Sequence, residues 1–156
     1  MKDKLSGQVD LTRLLDPASA PGLIADPGLR SALVARDATA ACAILGSPSF
    51  HDPDEQRALR ASGPAAALLT SWQKNGADLA ARIGGSYALA IVDARRECVF
   101  LAVDRFAIET LCYRADDSAL CFSDRADCVP GRGDQLDPQA IFDYLYFHMI
   151  PAPRTV

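Results

Sequence analysis

Few residues in this chain could do chemistry. His51-Asp52-Pro53-Asp54-Glu55 sets one imidazole and three carboxylates in a single polar stretch, a donor set that a divalent cation would accept. With no apolar residue to rigidify it, the stretch reads first as solvated surface. Cys42, Cys98, Cys112, Cys121 and Cys128 are odd in number, contain no C-x-x-C pair, and fall mostly inside or beside apolar runs. A thiolate metal site or a disulfide framework is therefore a weaker reading than small core residues held reduced. His148 stands with Phe142, Tyr144, Tyr146 and Phe147, which could stack on a base. At helical spacing the same residues read as core plus a patch facing a partner. Asp104-Arg105 reads as an ion pair that stabilises a turn. No G-x-x-x-x-G-K-[S/T], no G-x-G-x-x-G after a strand and no H-E-x-x-H is present.

The elements that must position these residues come from an ordinary globular composition. The chain has 156 residues, 49% hydrophobic and 23% charged, with a net charge of −4 and a pI near 5.0. One domain is the simplest organisation, and at this length roughly 70% of the unfolded surface can be buried. Acidic balance argues against nucleic acid or an anionic membrane as main partner, because both need clustered Lys and Arg. Only Arg95-Arg96 approaches a cluster, in a turn. The start lacks the apolar stretch of a secretion signal, and no apolar run approaches about 20 residues, so the cytoplasm is expected and a membrane span is not.

Residues 84–125 are the most informative segment. Tyr87, Leu89 and Ile91 alternate with Ala88, Ala90 and Val92, and the polar turn Asp93 to Glu97 leads into Cys98-Val-Phe-Leu-Ala-Val103. That is a hairpin with strands covered on both faces. Residues 111–113 and 119–123 repeat the plan with a shorter turn. Upstream, residues 5–11 and 38–45 read as strands, residues 26–36 as a short helix or turn, and Gly46-Ser-Pro-Ser49 as a turn. His51 to Arg60 reads as a helical turn or loop. Residues 64–73 form a helix through Leu68, Leu69 and Trp72, stopped at Asn75-Gly76. Residues 78–83 form a second short helix, and Gly84-Gly85 breaks before the strands. The last helix spans 136–149, with Asp137 as N-cap, Pro138 at its first position and Ile141, Tyr144, Leu145 and His148 on one face. The sum is α+β, helices packed on antiparallel sheet.

Gly85-Ser-Tyr-Ala-Leu-Ala-Ile-Val-Asp93, Leu101-Ala-Val-Asp-Arg-Phe-Ala-Ile108, Leu111-Cys-Tyr113 and Phe122-Ser-Asp124 also resemble the strands of the amino-terminal glutaminase domain of asparagine synthetases. The family patterns there are G-x-F-A-x-x-x-x-D, then L-x-R-D-x-x-G-x-x-P-L-Y-Y, then F-A-S-E. The tail is similar to the helix and P-x-P-R-T segment that lead into the synthetase domain. The likeness covers residues 72–156. It implies the four-layer α-β-β-α sandwich of amino-terminal-nucleophile hydrolases over residues 1–149, with 150–156 opening a connector to a synthetase domain.

The family's chemistry is a terminal cysteine that attacks the glutamine carboxamide while its own α-amine moves the proton. Matching Leu5-Ser-Gly7-Gln-Val9-Asp10 to the family start puts Asp3 at the cysteine position. Placing Ser6-Gly7 there instead requires removal of five residues to free the serine amine. The internal cysteines cannot substitute. Ala41 to Leu45 lacks the family's arginine, no N-G turn precedes the helix, and Ser62 to Ala67 stands where an acidic pair binds the substrate's amino group. The resemblance thus implies a catalytically inert glutaminase-like domain with no cofactor of its own, serving as scaffold for an asparagine-synthetase-like enzyme. MgATP belongs to a synthetase domain in the same or a separate chain. Tyr144, Phe147, Ile150 and Pro151 are the expected contacts. A homodimer, a free-standing docking module, or an amidohydrolase using a processed Ser6 are the alternatives.

Overall fold

The computed structural model describes residues 5–10, 24–25, 33–129 and 137–149. Two four-stranded antiparallel sheets are built from β1 (Ser6–Asp10), β2 (Ile24–Ala25), β3 (Leu33–Arg36), β4 (Ala40–Phe50), β5 (Ile83–Asp93), β6 (Cys98–Val103), β7 (Cys112–Ala115) and β8 (Ala119–Ser123). Their orders are β2-β1-β8-β7 and β3-β4-β5-β6. The helices are α1 (Pro53–Ser62), α2 (Pro64–Asn75), α3 (Leu79–Arg82) and α4 (Pro138–Phe147), with 3-10 turns at Gly76–Asp78 and Ala126–Cys128.

The side-chain period of two sorts β4 and β5 into two cores. Ala40, Cys42 and Ile44 with Tyr87, Leu89 and Ile91 face α2, where Leu68, Leu69 and Trp72 complete one buried cluster. Ala41, Ala43 and Leu45 with Ala88, Ala90 and Val92 face the other sheet, meeting Leu5 and Phe122. The described layers are therefore helices, sheet and sheet. Both faces of the β4-β5 pair are buried, which is why these strands read as nearly unbroken apolar runs. Among the described residues no helix is long and apolar enough to cross a membrane.

Local signals set the helices. Asp52 caps α1 by accepting from the amides of Asp54 (2.9 Å) and Glu55 (3.0 Å), with Pro53 following. Asp137 caps α4 in the same way through Gln139 N (2.9 Å). Trp72 is locked from its polar edge: its Nε1 donates to buried Asp93 at 2.7 Å, and the Arg96 guanidinium lies 5.4 Å over its ring while bonding Asp93 at 2.8 Å. Burial alone would raise the Asp93 carboxyl, yet the bonds from Arg96 and Trp72 hold it below its ordinary value.

Several local expectations are overturned. Gly46 to Ser49 is not a turn but the second half of β4, and Gly84-Gly85 lies inside β5, because the two strands pair without interruption from Ala40↔Asp93 to Phe50↔Ile83. Leu33 to Arg36, read as part of a helix or turn, is strand β3 paired on β4; residues 26–32 lie outside the described residues. Ile83 opens β5 instead of ending a helix. On α4 the inward face carries Ala140 and Asp143, while Ile141, Tyr144, Leu145 and His148 are exposed. The four large residues gave the stronger periodicity, and a small residue and a hydrogen-bonded carboxylate took the buried side.

Candidate functional site

One end of the sandwich gathers two positive-φ glycines and a carboxylate bonded to four backbone amides. Both strands of the β4-β5 pair kink there at glycines in the left-handed region, Gly46 (φ 93°) and Gly85 (φ 86°). A Cβ on Gly46 would stand 2.4 Å from the Ser86 carbonyl oxygen, and one on Gly85 would stand 2.4 Å from that of Ser47. Only glycine fits either place. Past these glycines the strands carry the small residues Ser47, Ser49 and Gly84 before Phe50 and Ile83 return to the helix-side core.

Residues 104–110 cross this end and join the two sheets. The Asp104 amide donates to Tyr87 O at 2.9 Å. Its carboxylate then accepts from the amides of Phe106 (2.9 Å), Ile108 (3.0 Å), Tyr87 (3.2 Å) and Glu109 (3.3 Å). Desolvation opposes the charge, but these amides outweigh it and keep the carboxyl below its ordinary value. Asp104 is thus the anchor of the loop through backbone amides, not through the ion pair with Arg105 expected from sequence; no such pair exists among the described residues. Ala107 is held at φ 49° to complete the turn. Further on, the Glu109 side chain lies over Gly46, with Cγ 3.0 Å from the place of a Cβ there, and Thr110 Oγ1 donates to Asp124 O at 2.7 Å.

Asp124 in turn ties down the front of the first strand. Its amide donates to Leu5 O at 2.7 Å, and the next residue, Ser6, pairs with buried Ser123. Leu5 is 0% exposed and belongs to the core between the sheets. The residue in front of β1 is thus an aliphatic side chain buried in the core. Lys2 and Asp3 lie outside the described residues. β4 carries no arginine, and Leu45, packed between the sheets, precedes the kinked Gly46. The first turn of α2 contains no acidic residue.

The His51 to Glu55 stretch does not assemble a metal site. Asp52 is spent on the cap and Asp54 pairs with Arg57. Glu55 is half-buried and accepts from Ser71 Oγ (2.7 Å) and from Arg82 Nη2 (2.9 Å) and Nε (3.1 Å), which pins α1 to α2 and α3. The reading as free surface is thus corrected for Glu55. No group of three or more His, Cys, Asp or Glu able to hold a metal occurs among the described residues. All five cysteines are free; burial pushes the Cys42 thiol up to about 12, and burial together with Asp93 raises that of Cys98. A raised thiol is a poor nucleophile at neutral pH.

Of the four expected contact residues, Tyr144 and Phe147 are 58% and 55% exposed, and Ile150 and Pro151 lie outside the described residues. Around them Phe142 stacks on Tyr146 at 5.9 Å, and Tyr146 meets Phe147 edge-on at 4.9 Å. The outward side of α4 is apolar without a charged residue, since Asp143 is buried and bonded to Gln139. What sequence reasoning missed is the left-handed glycine at 46 and the cover that Glu109 lays over it. A signal existed in Leu45-Gly46-Ser47, a glycine in an otherwise apolar strand.

A family model described as a glutamine amidotransferase domain matches residues 51–156. No curated protein matches the chain.

Proposed function

The chain belongs to the glutamine amidotransferase domain family, and from that membership we propose that it is a catalytically inert glutaminase-like domain of an asparagine-synthetase-like, ATP-dependent amide-forming enzyme. The observation that carries this reading is the front of β1, where Leu5 is buried between the sheets, its carbonyl accepts from the Asp124 amide, and Ser6 stands in register with Ser123. A terminal nucleophile needs an open carbonyl-sized space and a free amine beside it. The second shortage is electrostatic. Leu45 stands before Gly46, where an asparagine amide would face a developing oxyanion, and α2 opens on Pro64, Ala65 and Ala66, where carboxylates would hold an ammonium group.

A domain without that chemistry is left with a scaffold role. The uncharged aromatic side of α4, including Tyr144 and Phe147 of its last turn, docks on a synthetase domain in the same or a separate chain, and residues 150–156, with Ile150 and Pro151, extend that contact. MgATP binds in that partner. The full architecture is the four-layer α-β-β-α sandwich, with α4 opening the layer outside the β1-β8 sheet, and the protein works in the cytoplasm.

The test is direct. Purified chain of verified intact mass is incubated with glutamine, and ammonia and glutamate are measured. No turnover above the uncatalysed background is expected. Release of ammonia together with a mature mass lacking residues 1–5 would establish processed Ser6 as the nucleophile and end this reading. For the docking role, Tyr144→Glu with Phe147→Glu is expected to lower affinity for the synthetase partner at least tenfold, about 1.4 kcal/mol, without changing the melting temperature; unchanged affinity removes α4 from the contact.

A further inference from the structure

The four sheet edges are not equally protected. β2 has two residues, β3 carries Arg36 and β7 carries Arg114, whereas β6 presents Cys98-Val-Phe-Leu-Ala-Val103 with no charge, proline or bulge. Proteins usually blunt such edges with these very devices, because a row of unpaired amides and carbonyls recruits another strand. The Asp104 amide points to Tyr87, so the residues in phase with it bond β5, and Val99, Leu101 and Val103 turn theirs outward. Among the described residues nothing covers these outward groups.

We propose that β6 is a homodimerisation edge, pairing antiparallel with β6 of a second copy so that the β3-β4-β5-β6 sheet continues across a two-fold axis at Leu101. This choice of occupant rests on charge and register. Glu97 precedes the strand and Arg105 follows it; both are exposed, and neither has an ion-pair partner among the described residues. Antiparallel pairing brings the start of one strand to the end of the other. With Leu101 on the axis, Glu97 of each copy stands opposite Arg105 of the other, and Val99 exchanges backbone bonds with Val103. The same register sets Phe100 opposite Ala102 on the helix side and keeps Val99 and Leu101 on the inter-sheet side, so both cores run on across the junction. The contact is isologous and closes, which a heterologous strand addition would not. It is independent of the inert-pocket reading and of α4.

Sedimentation velocity on the full chain tests it, together with hydrogen exchange at several concentrations. The wild type is expected to dimerise across the micromolar range, with protection of the Val99, Leu101 and Val103 amides rising with concentration. Glu97→Arg and Arg105→Glu are each expected to raise the dimer dissociation constant about tenfold, and the double exchange to restore it. A chain monomeric throughout that range, a dimer indifferent to the single exchanges, or a dimer lost in Tyr144→Glu while the β6 amides stay unprotected would each overturn the proposal.

Discussion

Asp104 shows how much one side chain can organise. Its carboxylate collects four backbone amides that no strand or helix ladder satisfies, and the loop over the end of the sandwich depends on it. Asparagine at this place keeps the shape but loses the charge and one acceptor. Asp104→Asn is therefore expected to loosen residues 104–110, seen as faster tryptic cleavage after Arg105, with the core otherwise intact. The pH dependence has a definite sign. The folded carboxyl lies below its ordinary 3.8, so its contribution is complete above that value and is lost as pH falls further, through the folded pKa. The acid limb of the stability curve should be shallower in the variant; identical acid limbs and identical cleavage would show that the amides find other partners. The residue identity was visible in Val103-Asp104-Arg105, but its role was not. Sequence adjacency suggested Arg105 as partner, and the amides that Asp104 binds come from positions two, four and five residues on and from another strand.

At the scale of elements, periodicity told most of the story where it was continuous and failed where small residues interrupted it. The β5-β6 hairpin, the α2 helix and the Asp137-Pro138 start of α4 follow from local pattern and capping chemistry. Gly46 and the Gly84-Gly85 pair suggested breaks, because glycine in a strand normally weakens it. In the folded chain two of these glycines serve a joint kink in a long paired ribbon, each leaving room for the carbonyl of the facing strand. Gly46→Ala is expected to cost about 1–3 kcal/mol, as positive φ and a backbone clash combine, and Gly85→Ala a similar amount. Urea denaturation measures both. Gly76→Ala, where no atom lies within 4 Å of a new Cβ, should cost less; equal costs at all three sites would mean that conformational strain alone, and not the close carbonyl, sets the penalty.

The whole molecule rests on two cores that share β4 and β5, and the inter-sheet core is thin, lined by Ala41, Ala43, Ala88 and Ala90. Leu5 and Phe122 fill what alanines leave. Leu5→Ala is expected to destabilise the fold by about 2–5 kcal/mol, which at this size lowers the melting temperature by about 2–4 °C per kcal/mol. A change within error would show that Leu5 does not anchor the first strand and reopen the possibility that residues 1–5 are removed to expose Ser6. By itself the sequence determined the α+β class and the order of most strands and helices, because both depend on local periodicity, caps and residue types. Only the tertiary structure decided that Leu5 is buried between the sheets, that Glu109 covers Gly46, that half-buried Glu55 ties α1 to α2 and α3, and that Ala140 and Asp143 are the inward side of α4. Those contacts join residues far apart in the chain, and the burial they create follows from which surfaces meet, a quantity that no local pattern carries.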